Sequence, residues 1–319
     1  MSASNFRTFK MLNSHKIELH GYYTYKPSAW ILTEGEDAHG FLQSQFSNDL
    51  GDLKIGQVSY GLWLDQKGKV HGDSHILRTG EEEFYLFSYS TPEDLLLEKL
   101  NSFIVADDVE LEGLSEDMEA ISLIGNAVDA LTGLGLSRQG VGTLLFEDRE
   151  VYKIPGRRGC SGSIELIVQN EGRDSLSEAL ADGVEHRPAL SDRDMEALRI
   201  LNRVPSVPLD IGSAELPQEG GLHEDAVSFN KGCYLGQEVM SRIHSMGQTR
   251  RSLRLVNTNG PVEYGSEVVA DGKRVGFVKS SVEYGDSYFA LALLSNTVTN
   301  ESTLLTGDSD NEQVLTLVG

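Results

Sequence analysis

The sequence has few cysteines, little positive charge and no long apolar segment. Its 319 residues include two cysteines, Cys160 and Cys233. This excludes a disulfide framework and fits a reducing compartment, so we expect a cytoplasmic protein. No stretch approaches the ~20 apolar residues of a membrane-spanning helix. Residues 1–16 lack the apolar core of a secretory signal. We therefore expect no membrane partner.

Basic residues are scarce relative to acidic ones, 27 against 49, and the formal net charge is −22. A nucleic-acid binder normally carries a basic surface, because its affinity comes from neutralising phosphates. Lysine and arginine are scattered here, with small clusters at Arg157-Arg158 and Arg250-Arg251. The composition therefore argues against direct binding of nucleic acid.

The hydrophobic pattern of the first 245 residues predicts an α+β fold. Between residues 30 and 114 the predicted order is β-α-β-β-β-α-β, with Gly68 in a hairpin turn. The first helix is predicted from Asp37 through Leu50. Residues 117–186 repeat the theme in shorter form, with helices predicted over 127–134 and 173–181. This suggests two sheet-plus-helix modules, followed by a helix over 191–202.

After Arg251 the pattern changes to short strands separated by glycine turns such as Asp271-Gly272. Regular short strands of this kind predict a small β-barrel. We therefore expect four segments. These are a first α+β module (residues 1–115), a second α+β module (116–187), a helical and loop segment that completes the first module (188–247), and a C-terminal barrel (248–319).

The motif with the clearest chemical content is Lys-Gly-Cys-Tyr-Leu-Gly-Gln-Glu at residues 231–238. Lys231 lies two residues from the Cys233 thiol, and the flanking glycines leave the sulfur accessible. A helix that begins near Gly236 would bring its free N–H groups close to the sulfur. The cation and the helix start favour the thiolate, whereas Glu238 opposes it if it points inward. The alternative is a small buried apolar residue, the commoner use of a lone cysteine.

This octapeptide resembles the signature of the YgfZ-type folate-binding proteins, which are similar to the aminomethyltransferase of glycine cleavage. Weaker matches follow in the family's order at residues 30–45, 64–69, 216–229 and 275–292. The resemblance implies two ferredoxin-like modules and a C-terminal barrel arranged around a central folate cleft. It implies tetrahydrofolate, or a one-carbon derivative, as the cofactor.

The resemblance also implies partners and site residues. Proteins of this branch support iron–sulfur enzymes, including those that thiolate tRNA, so we expect iron–sulfur enzymes or assembly proteins as partners. Cys233 is then the functional residue and Lys231 its companion. Trp30 matches a tryptophan of the family's folate site, although packing in the core would explain it equally well. Met195 stands where the family has a second tryptophan.

Three further residues of the motif, Tyr234, Gln237 and Glu238, are expected to contribute to cofactor binding. Two departures from the family bear on catalysis. Leu201 stands where the aminomethyltransferases carry a folate-facing glutamate. Asp94 lies near the position of their aspartate at the transfer centre, but is not clearly in register with it. Without these acids, proton handling lacks its obvious agents.

We therefore expect a tetrahydrofolate-binding protein that supports the assembly or repair of iron–sulfur enzymes, and thereby tRNA modification, through a reactive cysteine rather than by turnover. The alternative is a folate-dependent aminomethyl or one-carbon transferase that uses Asp94 or another acid. A thiol enzyme with His223 or His244 as its base is a third hypothesis.

Two further features are interpreted as structural. His71 and His75 share one strand face and could form half of a metal site, but a hydrated sheet face explains them without further ligands, and we predict no metal site. Cys160, at a predicted hairpin, is interpreted as a structural residue.

Overall fold

The computed structural model describes residue 17, residues 19–129, residue 131, and residues 142–159, 162–182, 188–247, 249–307 and 312–319. Their strands are β1 (Gly21–Tyr25), β2 (Ala29–Glu34), β3 (Val58–Leu64), β4 (Val70–Arg78), β5 (Glu83–Ser88), β6 (Glu110–Gly113), β7 (Met118–Ile124), β8 (Gly142–Phe146), β9 (Arg149–Pro155), β10 (Ile164–Gln169), β11 (Arg251–Thr258), β12 (Glu267–Ala270), β13 (Lys273–Tyr284), β14 (Ser287–Ser295), β15 (Leu304–Thr306) and β16 (Gln313–Leu317). Their α-helices are α1 (Ala38–Gln45), α2 (Glu93–Asn101), α3 (Arg173–Asp182), α4 (Asp192–Leu201) and α5 (Gln237–Met246). None of these helices has both the length and the apolar character that crossing a bilayer requires.

The first sheet has the strand order β3-β4-β5-β2-β6, and α1 and α2 pack on one of its faces. This is the predicted α+β module with its predicted order of elements. α1 is shorter than predicted, because it ends at Gln45 rather than near Leu50. Phe46 turns to extended backbone (φ −84°, ψ 140°), and its ring packs against Trp63 with a centroid distance of 5.0 Å. Burial of this aromatic pair in the core ends the helix early.

The hairpin between β3 and β4 forms as predicted and carries α5. A carboxylate oxygen of Asp65 accepts hydrogen bonds from the backbone N–H groups of Lys67 and Lys69, each at 2.8 Å. Gly68 has a left-handed φ of 71°, and a Cβ there would lie 2.7 Å from the Met240 methyl group on α5. A glycine is therefore required both by the turn and by the close approach of the helix.

The second sheet has the order β1-β7-β10-β9-β8. Its first strand lies within residues 1–115, which were expected to form the first module, and for this strand that assignment is wrong. Gly21 pairs with Ile124 in antiparallel register, and the Tyr25 hydroxyl donates to Glu165 on β10 at 2.9 Å. These two interactions hold β1 on the second sheet. In its described part, the predicted helix over 127–134 consists of the end of a 3₁₀ turn (Gly125–Asp129) and the α-helical residue Leu131. The remainder of that prediction, and Cys160, lie outside the described residues.

The C-terminal strands close into a barrel in the order β11-β14-β13-β12-β15-β16, which confirms the predicted barrel and adds β15 and β16 to it. A core of small and branched residues fills the barrel, including Val256, Val278 and Leu294. α4 packs against the outside of this barrel through Leu198 and Leu201, which share an apolar cluster with strand residues of β7, β11 and β14.

The loop-rich segment that follows α4 covers the other face of the first sheet. Leu62 and Leu64 of β3 pack there against Ile211, Leu222 and Met240. Residues 204–246 therefore complete the first sheet as a layer, whereas α4, from the same expected segment, packs with the barrel and β7 instead.

Candidate functional site

A small cavity, called the central cavity below, lies where the two sheets, α4 and the loop after α4 meet. Its volume is about 60 Å³, which is room for a few water molecules. The wall is formed by Asp73, Tyr89, Ser90, Arg157, Arg158, Met195, Glu196, Arg199, Val204, Pro205, Ser206 and Val207. Guanidinium groups, carboxyl groups, one phenol and one thioether thus face a single enclosed space.

Arg158 is held at this cavity by three tyrosine rings. Its guanidinium carbon lies 4.3 Å from the ring centre of Tyr25, 4.5 Å from that of Tyr89 and 5.4 Å from that of Tyr23. The hydroxyls of Tyr25 and Tyr89 both donate to the buried Glu165 carboxylate at 2.9 Å. Burial and the Glu165 charge raise the pKa of both phenols well above the usual value, so both stay neutral. The Nε–H of Arg158 is buried and has no hydrogen-bond partner among the described residues.

Asp73 is a buried carboxyl group at the same cavity. It accepts hydrogen bonds from the hydroxyls of Tyr60, Ser88 and Thr91 at 2.8 to 2.9 Å. Burial raises the pKa of Asp73 despite these three donors, which favour the ionised form. Sequence reasoning considered only the histidines of this strand. An acid in the middle of an otherwise inward-facing strand was the signal that could have identified it.

Arg157 connects Asp73 to the protein surface. Its guanidinium carbon lies 3.9 Å from the ring centre of Tyr60, the residue that donates to Asp73, and its Nη2 pairs with the half-exposed Asp225 at 2.8 Å. The Nε–H of Arg157 is also buried without a hydrogen-bond partner in the described part of the chain. Two arginines that line the cavity therefore each have a buried Nε–H that no protein atom among these residues uses.

Trp30 and Met195, the two residues expected at the folate site besides those of the cysteine motif, lie in different parts of the structure. Met195 lines the cavity and is 3% exposed. Trp30 does not line it, because its ring is 1% exposed and lies between the sheets, stacked on Tyr85 at 4.9 Å and 5.0 Å from Tyr152. The structure thus gives Trp30 the position of a core residue, the alternative that its sequence context allowed.

The cysteine motif forms a separate, exposed loop. α5 begins at Gln237, as the motif predicts, after Gly236 in a left-handed conformation (φ 86°). A Cβ at Gly236 would lie 2.6 Å from the Asp65 carbonyl oxygen, so only glycine fits between loop and hairpin. Cys233 is exposed and has a free thiol, and Glu238 points to solvent. No residue of 231–238 lines the central cavity.

Lys231 does not extend towards solvent beside the thiol. Its ammonium group donates to the backbone carbonyls of Gln43, Phe46 and Asn48 at 2.7, 2.8 and 2.8 Å, at and just beyond the end of α1. These carbonyls include acceptors that a helix terminus leaves without internal partners. Burial lowers the pKa of Lys231 to about 8. All three N–H groups of the ammonium are thus used to hold the loop on α1.

The other motif residues also hold the loop in place. Gln237 donates from its amide to the carbonyls of Lys231 and Gly232, each at 3.3 Å. Tyr234 is 6% exposed, its ring centre lies 5.3 Å from the Lys231 Nζ, and burial raises its pKa to about 12. These contacts fix the backbone on both sides of an exposed thiol.

Asn48 is the residue through which the cysteine loop and the cavity are connected. Its carbonyl accepts from Lys231, while its side-chain amide donates to the carbonyls of Tyr60 (2.7 Å) and Asp225 (2.9 Å). Tyr60 and Asp225 also contact the guanidinium group of Arg157. One short series of hydrogen bonds therefore joins the two regions.

Two of the histidines considered above, His75 and His244, pack against aromatic rings. His75 is 4% exposed, packed among the rings of Tyr60, Phe87 and Tyr89, so the expectation of a hydrated face is wrong for it. Burial, and secondarily Arg157, lowers its pKa to about 3. His244 stacks on Phe229 with a centroid distance of 4.0 Å.

Within the described ranges, no three His, Cys, Asp or Glu side chains form a group that could hold a metal ion. Asp94 is exposed in the first turn of α2 and lies outside the cavity wall, and Leu201 is 3% exposed in the core under the barrel. The acids of the cavity wall among the described residues are Asp73 and Glu196, and Asp73 is the buried one.

Comparison with known proteins agrees with this architecture. The family model described as the GCVT N-terminal domain matches residues 25–157. An aminomethyltransferase of Thermoanaerobacter sp. (strain X514) is 27% identical over 285 residues, which cover 83% of this chain and 73% of that protein. The tRNA-modifying protein YgfZ of Yersinia enterocolitica is 24% identical over 307 residues, covering 91% and 88%. The crystal structure of the glycine cleavage system aminomethyltransferase T from Bartonella henselae has the same fold, with a TM-score of 0.78 at 19% identity over 95% of this chain and 86% of that one.

Proposed function

We propose that the central cavity of this chain, which is similar to YgfZ-type proteins and to the glycine-cleavage aminomethyltransferase, binds tetrahydrofolate or a one-carbon derivative. We propose further that Cys233 acts in the assembly or repair of iron–sulfur enzymes, including enzymes of tRNA modification. The observation that carries the folate proposal is the pair of half-buried arginines that line the cavity, each with a buried Nε–H that lacks a protein acceptor among the described residues.

The chemistry of the cavity wall suits a pterin. Its ring system is planar and carries several hydrogen-bonding atoms, which match the phenol ring of Tyr89, the two guanidinium groups and the Asp73 carboxyl group. Tetrahydrofolate supplies a carrier for one-carbon units when it is bound. The space of about 60 Å³ is smaller than a pterin needs. Binding therefore requires side chains of the wall or the loop over residues 204–207 to move outwards.

Titration of tetrahydrofolate by calorimetry tests this proposal. Arg158→Gln removes the guanidinium group that the three tyrosines hold, so we expect at least ~tenfold weaker binding, as for a lost hydrogen bond to a charged group. Arg149→Gln is the matched control, because Arg149 is exposed at the start of β9 and lies outside the cavity. Cys233→Ala should bind like the wild type. Equal affinity of all variants, or no binding by the folded wild type, would refute the folate site.

The exposed thiol supports the second part of the proposal. A thiol that handles sulfur or a cluster must reach its partner, and Cys233 is exposed on a loop whose flanking residues are fixed. An iron–sulfur cluster usually needs four thiolates, and the sequence contains two cysteines in all. The partner protein must therefore supply the remaining ligands.

Complementation tests the role of the thiol. In cells that lack their own YgfZ-type protein, Cys233→Ala should fail to restore the activity of an iron–sulfur enzyme that the wild type restores. Cys160→Ala, which changes the other cysteine, is the control and should restore it. Full restoration by Cys233→Ala at equal protein level would remove the thiol from the proposal.

One observation favours a second candidate, a folate-dependent one-carbon transferase. Asp73 is a buried carboxyl group at the cavity, and burial raises its pKa, so it holds a proton more readily than an ordinary carboxyl group. This role belongs to Asp73 rather than to the exposed Asp94. Turnover of an aminomethyl donor with tetrahydrofolate by the wild type, lost in Asp73→Asn, would establish the transferase. Absence of turnover with such donors would exclude it.

A further inference from the structure

A second and larger cavity lies between α5 and the barrel and shares no wall residue with the central cavity. Its volume is about 570 Å³, within the range of small-molecule sites. Its lining includes the apolar side chains of Ile243 on α5 and of Val275 and Phe277 on β13. Arg250, Arg251 and Arg274 line the same cavity.

The concentration of arginine is unusual for this chain. Three arginines and one glutamate are the charged residues of the wall, whereas the whole protein carries 49 acids and 27 bases. Three guanidinium groups against the two carboxylates of Glu219 and Glu267 leave one positive charge in excess around this cavity, in a chain whose net charge is −22.

The three arginines are held to different degrees. Arg251 forms a paired contact with the carboxylate of Glu219, from Nε at 2.8 Å and from Nη2 at 3.2 Å, and Glu219 is 5% exposed. Arg274 contacts Glu267 at 3.0 Å and lies over the Phe277 ring, 5.1 Å from its centre. The Arg250 side chain is exposed and has no hydrogen bond or ion pair with any described residue. The Arg251 guanidinium is thus fixed by a buried carboxylate, and that of Arg274 is oriented by an exposed ion pair and a ring. The guanidinium of Arg250 is available to bind a ligand.

We propose that this cavity binds a phosphorylated small molecule whose uncharged part is planar or apolar, of about the size of a nucleoside diphosphate. Guanidinium groups bind phosphate through paired N–H donors, and Arg250 with Arg274 would hold the phosphates. The apolar walls would cover the remainder of the ligand. The site is independent of the folate proposal, since it uses other residues on another part of the fold.

Calorimetry with ADP, pyrophosphate and adenosine, in the absence of divalent metal, tests this site. We expect saturable 1:1 binding of ADP, weaker binding of pyrophosphate, and none of adenosine. In the double variant Arg250→Gln, Arg274→Gln the ADP affinity should fall at least ~tenfold, since bonds to charged groups are lost. The control is Arg193→Gln. The Arg193 side chain is 56% exposed and forms an ion pair, much as the 58% exposed Arg274 does, but it lies on α4, away from this cavity.

The outcomes separate this proposal from non-specific attraction. Undiminished ADP binding in the double variant, or an equal loss in Arg193→Gln, would overturn it, as would absence of ADP binding by the wild type. Pyrophosphate binding as tight as ADP would overturn the role of the apolar walls. Both arginines are exposed, so the double variant should keep the wild-type unfolding temperature, and saturation with tetrahydrofolate should leave ADP binding unchanged.

Discussion

Lys231 holds the cysteine loop on α1, and replacing it should cost a predictable amount of stability. Lys231→Met keeps most of the aliphatic stem and removes three hydrogen bonds, to the carbonyls of Gln43, Phe46 and Asn48. At a net ~1 kcal/mol for each bond, we expect the free energy of unfolding to fall by ~3 kcal/mol. The buried ammonium has a desolvation cost that partly offsets this loss, and the three unpaired carbonyls add to it.

Lys99 provides a closely matched control. Its ammonium also lies near an aromatic ring, 5.6 Å from the centre of Phe103, and burial also lowers its pKa. It donates to one carbonyl, that of Leu64 at 2.8 Å. Lys99→Met should therefore cost ~1 kcal/mol.

Equilibrium unfolding in urea measures both variants, with the denaturant slope checked for constancy. The free energy of unfolding should fall by ~2 kcal/mol more in Lys231→Met than in Lys99→Met. Equal losses would mean that the three carbonyls find water or other donors, and that Lys231 is not what holds the loop.

Three other predictions concern the core and the response to pH. Arg199 contacts the fully buried Asp210 at 2.7 Å, and Arg199→Met leaves this carboxylate without its cation. Thermal unfolding should therefore show a loss of ~3–5 kcal/mol in the free energy of unfolding. A loss below ~1 kcal/mol would contradict this. Trp30→Ala should cost ~3–5 kcal/mol in urea unfolding, whereas a folate contact at the surface would leave stability nearly unchanged. The pKa of His75 is lowered to about 3 in the folded protein, against ~6.5 in the unfolded chain. As the pH falls below ~6.5, His75 is therefore protonated in the unfolded chain but not in the folded protein, and stability is lost. Between pH 7 and 5 the free energy of unfolding of the wild type should fall by ~2 kcal/mol more than that of His75→Phe. Parallel curves of this free energy against pH for the two proteins would exclude the prediction.

Much of the architecture could be predicted from the sequence, because its signals are local. Glycine turns mark the barrel strands, the capping residue Ser191 starts α4, and Gly236 precedes α5. β1 and the end of α1 could not be predicted, because both depend on distant partners. Gly21 pairs with Ile124, and Phe46 leaves the helix to pack on Trp63.

The site was predictable to a lesser degree. The motif indicates an exposed thiol next to a helix start, and the structure has both. It also suggests that Lys231 is near the thiol, but sequence proximity does not give the direction of a long side chain. Asp73 and Glu165 lie far apart in sequence, and only the packing of the two sheets shows that the hydroxyl groups around the cavity converge on them.

The position of β1 at the edge of the second sheet has a consequence for truncated forms of the protein. Its hydrogen-bonding partner β7 is synthesised only after the whole first sheet. A chain that starts after Tyr25 would retain every residue of the first sheet, yet it would leave the edge of β7 open and remove two of the rings around Arg158. Open strand edges pair with other chains. Such a truncation should therefore aggregate, and a protease that cuts before Ala29 should destroy the cavity without touching its lining.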